Sequence, residues 1–134
     1  MKVIVNVDGG ARGNPGPAAV AAVVSDADGV VLDEQSRTIG NATNNEAEYQ
    51  AVLLGIERAR ELGATEIKLI GDSELIVRQV CGEYKVKKVH LKPLHAAVLE
   101  ALEPFDSWAI ESVPRERNAS ADGLVNEALD DLGQ

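Results

Sequence analysis

The chain has 134 residues, 45% of them hydrophobic, which suffices for one domain with its own core and predicts a single domain over residues 1–134. A net charge of −9 argues against a module that wraps nucleic acid by bulk positive potential, and the longest apolar runs, such as AAVAAVV, are far too short to span a bilayer. MKVIVNVD has no signal-peptide h-region, so a soluble, cytoplasmic protein is expected. The single Cys81 has no partner for a disulfide, and its apolar neighbours in IVRQVCG predict a buried helix position.

Val3, Val5 and Val7 alternate with Ile4, Asn6 and Asp8, which predicts a first strand over residues 2–8 whose last carboxylate points away from the valine face. DGGARGNPGP follows. It has neither the Gly-Lys-Ser/Thr ending of a Walker loop nor a helix-opening G-x-G-x-x-G, so it reads as a loop between hairpin strands. Residues 18–25 and 30–39, separated by DADG, predict a hairpin and complete three antiparallel strands. TNNEAEYQAVLLGIERARELG then changes period, with Ala47, Ala51, Leu54 and Ala59 at helical spacing and Gly63 as the stop. Residues 66–70 read as a strand, SELIVRQVCG as a helix ending at Gly82, and 94–102 as a helix with Pro93 in its first turn. A strand over 108–113 and a helix over 118–132 close the chain. The order is βββαβααβα, an α/β architecture: a mixed sheet with helices packed on it.

Four acids fall at the ends of these elements. Asp8 ends the first strand, Asp72 follows the fourth, Glu48 lies early in the long helix and Asp122 early in the last. Singly each has an ordinary explanation: Asp8 a turn, Asp72 a helix start, Asp122 a favourable dipole. If strands one and four are neighbours, however, all four converge, and carboxylates that close repel unless cations lie between them. Hard divalent ions with oxygen ligands are the natural answer. The run KVKKVHLK carries four lysines and no acid, which on its own reads as a solvated loop.

DGGARGNPGP after strand one, TNNEAE opening the long helix, GDSELIVRQ after strand four and RERNASAD before the last helix together resemble the type 1 ribonuclease H family over nearly the whole chain. The resemblance implies the ribonuclease H-like fold: a five-stranded mixed sheet, three antiparallel strands first, with helices on both faces. It also implies endonucleolytic cleavage of the RNA strand of an RNA/DNA hybrid by two Mg²⁺ ions, with Mn²⁺ a substitute, held by Asp8, Glu48, Asp72 and Asp122. In that mechanism two ions roughly 4 Å apart bridge the scissile phosphate, and a 2′-hydroxyl beside the site distinguishes RNA from DNA. A non-cleaving relative of the fold, or another two-metal nuclease of the superfamily, is the alternative.

The same resemblance assigns substrate contacts. Gly9 and Gly10 would let the backbone approach the RNA sugars, Asn14 and Thr43 would lie at the DNA phosphate side, and Asn44 and Asn45 would also touch the two strands. Thr43 and Glu46 independently spell a capping box, T-x-x-E ahead of an apolar helix. The long basic handle of the best-known bacterial pattern is shortened here to KVKKVHLK, where Tyr84, Lys85 and Lys87 could stack and pair against the DNA strand. That pattern also has a histidine before the last helix, whereas this chain has VPRERN, with Arg115 the nearest substitute. His90 and His95 match no metal-ligand motif. A monomer is expected.

Overall fold

The computed structural model describes residues 1–133. In chain order the elements are β1 (Lys2–Ala11), β2 (Gly16–Asp26), β3 (Val31–Ala42), α1 (Asn44–Glu61), β4 (Glu66–Gly71), α2 (Glu74–Val80), α3 (Lys92–Leu102), β5 (Ser107–Ser112) and α4 (Ala119–Asp131). Two short 3-10 turns, Val89–Leu91 and Arg115–Asn118, precede α3 and α4. The strands form one sheet in the order β3-β2-β1-β4-β5, antiparallel among the first three and parallel across β1, β4 and β5. This is the expected mixed sheet and the expected element order.

Period two decides which face each side chain takes. Val3, Val5 and Val7 join Val20, Ala22 and Val24 in the main core, together with residues of α1, α2 and α3. The alternate residues of β2, Ala19 and Ala21, face the other way and pack against Val125 and Leu129 of α4. Helices therefore cover both faces. The small alanines on the α4 side let that helix lie close to the sheet. The positions expected to bury α1, namely Ala47, Ala51, Leu54 and Ala59, are all buried.

Three local expectations need correction. β1 does not end at Asp8: Gly9, Gly10 and Ala11 continue the antiparallel ladder opposite Val20, Ala19 and Ala18, so the turn is confined to residues 12–15. Asp8 consequently lies inside a central strand. β3 likewise runs three residues past 39 to Ala42, directly before the cap of α1 at Thr43. Cys81 is exposed, because α2 ends at Val80 and turns its apolar face inward through Ile76 and Val80, leaving the cysteine outside at the C-cap. Among the described residues no helix is long and apolar enough to cross a membrane.

Two glycines set how closely α1 lies on β1. A side chain at Gly55 would stand 2.7 and 2.8 Å from methyls of Val7 and Val5, and one at Gly9 would collide with the Ala47 carbonyl and lie 2.8 Å from the Glu48 nitrogen. Helix and strand each lack a side chain where they meet. That closeness brings the first turns of α1 to the level of Asp8.

Candidate active site

The β1–β4 ladder has its last pair at Asn6 and Ile70, and beyond it the parallel strands part. The carboxyl ends of neighbouring parallel strands are where open α/β sheets form clefts. Asp8 stands two residues past that point, and Asp72 is the first residue after β4. α1 starts at a complete capping box: Thr43 Oγ1 accepts from the Glu46 N–H at 3.2 Å, and Glu46 Oε1 accepts from the Thr43 N–H at 2.9 Å. The Thr43 N–H also holds the Glu46 carboxyl below its ordinary range. Glu46 is thus committed to the helix end, and Glu48, about 200° further round, is the glutamate that faces the acids.

Asp8, Glu48 and Asp72 each offer a carboxylate oxygen, and these atoms all lie within 4.8 Å of one another. Asp122, in the first turn of α4, lines the same cleft with Asp8 and Glu48, and its Oδ2 accepts from Asn126 Nδ2 at 3.4 Å. The cleft has a volume of about 340 Å³. A larger groove of about 640 Å³ beside Leu53, Ile56 and Ala101 shares no residue with it.

The electrostatics of this cluster are unfavourable without a counter-charge. Burial first, then the charges of Asp72 and Asp122, push Asp8 up to about 7. Burial first, then Asp8 and Asp72, push Glu48 up to about 9. Asp72 is raised as well, chiefly by burial, against the lowering influence of Arg115. Asp72 Oδ2 is buried and has no hydrogen-bond partner among the described residues; the cation paired with it is Arg115, whose Nε lies at 3.7 Å. A buried carboxylate oxygen left without a donor is costly. Grouped oxygen donors, an orphaned oxygen and mutual repulsion are what a hard divalent cation satisfies, so the residues present fit such an ion.

The helix start once open to Asp72 belongs to Ser73, whose Oγ accepts from the Ile76 N–H at 3.3 Å. Asn14 and Asn44 clamp the glycine loop to α1: Asn14 Oδ1 accepts from the Asn44 N–H at 3.0 Å, and Asn44 Oδ1 accepts from the Ala11 N–H at 2.9 Å. Asn44 also lines the acidic cleft, as do Gly9 and Gly10. Gly9 is buried, and its missing side chain serves the approach of Ala47. At Gly10 a methyl would meet only Val125, at an ordinary 3.7 Å. Asn45 is half-buried in the first turn of α1. Tyr84, Lys85, Lys87 and Lys88 are exposed in the segment between α2 and α3, with Arg78 stacked 5.3 Å from the Tyr84 ring centre. None of the four lysines from 85 to 92 forms an ion pair among the described residues. Arg115 is 76% exposed at the mouth of the site. Sequence reasoning passed over Asn118, which is wholly buried beside β1; its only signal was an asparagine at a helix start, where capping is the ordinary explanation.

A family model described as reverse transcriptase-like matches residues 6–128. The chain is 46% identical over 124 residues to ribonuclease HI of Halobacterium salinarum, covering 92% of this chain and 62% of that protein. It is 30% identical to a ribonuclease H of Hydrogenovibrio crunogenus over 98% of both chains. Against a bifunctional protein of Mycobacterium tuberculosis, at 46% identity, it spans 37% of the relative's length. Among solved structures it superposes on RNase H1 from Halobacterium salinarum with a TM-score of 0.96, at 44% identity and covering 98% of this chain and 99% of that one. LC11-RNase H1 in complex with an RNA/DNA hybrid gives a TM-score of 0.93 at 43% identity, with 98% and 99% covered.

Proposed function

We propose that this chain, which belongs to the type 1 ribonuclease H family, is an endoribonuclease that hydrolyses the RNA strand of RNA/DNA hybrids. The observation that carries the reading is the cluster of Asp8, Glu48 and Asp72 within 4.8 Å, with one buried oxygen lacking any donor. Asp8, Glu48 and Asp72, with Asp122 beside Asp8 in the same cleft, would hold the divalent ions, two Mg²⁺ in our reading, with Mn²⁺ as a substitute. When bound, such ions lower the pKa of a water and neutralise charge on a phosphoryl group.

The chain's own residues supply the rest. Asp8 is carried inside a paired strand, which fixes its backbone at the cleft. Glu48 is carried on a capped helix start, and with Asp72 it offers acceptors to the 2′-hydroxyl of the RNA strand, a group DNA does not have. Arg115, the only cation beside these acids in the described ion pairs, would meet negative charge on the phosphate. Gly10 leaves the floor of the cleft open, and Asn14, Thr43, Asn44 and Asn45 line the start of α1, where the two strands of a hybrid would run. The amide Nδ2 groups of Asn14 and Asn44 donate to no protein group among the described residues, which leaves them for phosphate or sugar oxygens. Lys85, Lys87 and Lys88, which form no ion pair among the described residues, make a basic surface beside the exposed Tyr84 that would hold the hybrid's backbone.

The test is a labelled RNA/DNA hybrid beside RNA/RNA and DNA/DNA duplexes, each with EDTA, Mg²⁺ or Mn²⁺. Metal-dependent cuts within the RNA strand of the hybrid alone are expected. Equal cleavage of the DNA duplex, or cleavage in EDTA, contradicts the reading.

A further inference from the structure

Asparagine is a favoured helix cap because its short side chain reaches the free N–H groups of the first turn. Asn118 stands at that position before α4 and makes no such bond. Its carboxamide is turned inward and is wholly buried. Nδ2 donates to the Val7 carbonyl at 2.8 Å, and Oδ1 accepts from Asn6 Nδ2 at 3.0 Å. Both partners belong to β1 and immediately precede Asp8. The β1–β4 ladder ends at Asn6, and Asn118 takes up the carbonyl one residue further on.

The surrounding segment has little else to hold it. Residues 114–117 are exposed, as are Ala119 and Ser120, so within 114–120 Asn118 alone is buried. Arg115 lies three residues before it and Asp122 four residues after it, which puts the tether midway between two groups at the mouth of the cleft. Further along, α4 is held on β2 by Val125 and Leu129 against Ala19 and Ala21, but at its start a cap bond to its own first turn would tie it to nothing in β1. This helix is pinned to the strand that carries Asp8.

We propose that Asn118 is a positioning residue, whose link to Val7 and Asn6 sets the distance of Asp122 and Arg115 from Asp8. The proposal rests on the endonuclease reading for its rate effect but not for its effect on metal binding. Asn118→Ala, Asn6→Ala and a control, Val98→Ala in the buried face of α3, are compared with the unaltered chain well below every melting temperature. Two quantities are read: the midpoint of a Mg²⁺ titration of the metal-free protein, followed by backbone amide NMR shifts, and kcat with KM on an RNA/DNA hybrid.

For Asn118→Ala the midpoint should rise at least threefold and kcat should fall at least tenfold, with KM within threefold. Asn6→Ala keeps the bond to Val7 and should show two- to fivefold changes in the same directions. Val98→Ala should lose melting temperature without moving the midpoint or kcat. A midpoint and kcat within twofold of the unaltered chain in Asn118→Ala overturn the proposal, as does a Val98→Ala loss of equal size. If Asn118→Ala does not fold, Asn6→Ala decides: unchanged values in both measurements overturn it. A chain that cleaves no hybrid but whose Mg²⁺ midpoint moves as stated refutes the endonuclease reading and leaves the positioning role supported.

Discussion

Glu48→Gln separates what the acidic cluster does for catalysis from what it costs the fold. Folded and metal-free, Glu48 is pushed up to about 9, from 4.5 in an unperturbed chain. At pH 7.5 it is ionised when unfolded and protonated when folded, a difference of about 4 kcal/mol in favour of unfolding at about 1.4 kcal/mol per pH unit. Part of that is repulsion shared with Asp8 and Asp72, so removing the carboxylate gains about 2–4 kcal/mol. For a chain of this length that raises the melting temperature by about 7–14 °C. The sign follows from the raised pKa. Glu48's contribution is fully present below about 4.5 and is lost as pH rises through about 9. In EDTA the unaltered chain should therefore lose more stability between pH 5 and pH 9 than Glu48→Gln does, with the two alike near pH 4.5. Melting curves at pH 5, 7 and 9, with EDTA and with Mg²⁺, measure this, and hybrid cleavage measured alongside should be nearly abolished in the variant. A metal-free Glu48→Gln that melts below the unaltered chain at pH 9 would refute the argument that this site is held under electrostatic stress.

Glu46→Gln should keep most activity, since glutamine can still accept from the Thr43 N–H, and should cost at most ~1 kcal/mol in a denaturant melt; a dead enzyme would reverse the roles of the two glutamates. Changing Lys85, Lys87 and Lys88 together to Ala should weaken hybrid binding and flatten the log–log salt slope by about 2–3, with kcat largely intact. An unaltered slope in a binding titration removes the basic segment from the interface. Arg115→Ala should lower kcat more than it weakens hybrid binding, because Arg115 meets Asp72 at the mouth of the cleft. It should also destabilise the metal-free protein above pH 7, where Asp8, Glu48 and Asp72 lose a cation that lowers all three; turnover equal to that of the unaltered chain returns it to the surface.

Period carried most of the fold into the sequence. The valine alternation of β1, the helical spacing of Ala47, Ala51, Leu54 and Ala59 and the T-x-x-E box all act locally, within a few residues, and each has its expected place. The end of β1 was not legible, because glycines carry no side-chain pattern and DGG reads equally as turn or strand; pairing with Ala18, Ala19 and Val20, supplied from another strand, decides it. Cys81 misled for a related reason. Its apolar neighbours describe the helix, but the helix ends one residue too early to bury it. The convergence of Asp8, Glu48 and Asp72 followed from assuming that β1 and β4 are neighbours, which is a property of sheet order. Asn118 was hidden because its partners lie 111 and 112 residues away in the chain.

The distribution of charge explains how so acidic a chain can be suited to a polyanion. Thirteen lysines and arginines face twenty-two acids, yet the two populations are not evenly mixed. Arg12, Arg37, Arg58, Lys68 and Arg78 are each tied to a surface carboxylate and contribute little net field. The three lysines between α2 and α3, with Lys92 at the start of α3, are tied to none among the described residues, so their charge is available to phosphates at short range, within a Debye length of about 10 Å at 0.1 M salt. The remaining acid excess includes Asp8, Glu48 and Asp72, whose negative charge a bound cation would cancel. Attraction by the lysines and metal binding by the carboxylates then act on the same ligand for opposite reasons, and affinity should depend on divalent ions as well as on ionic strength. Net charge alone excluded bulk electrostatic wrapping; it could not exclude a local basic contact beside a site whose own charge is neutralised when it works.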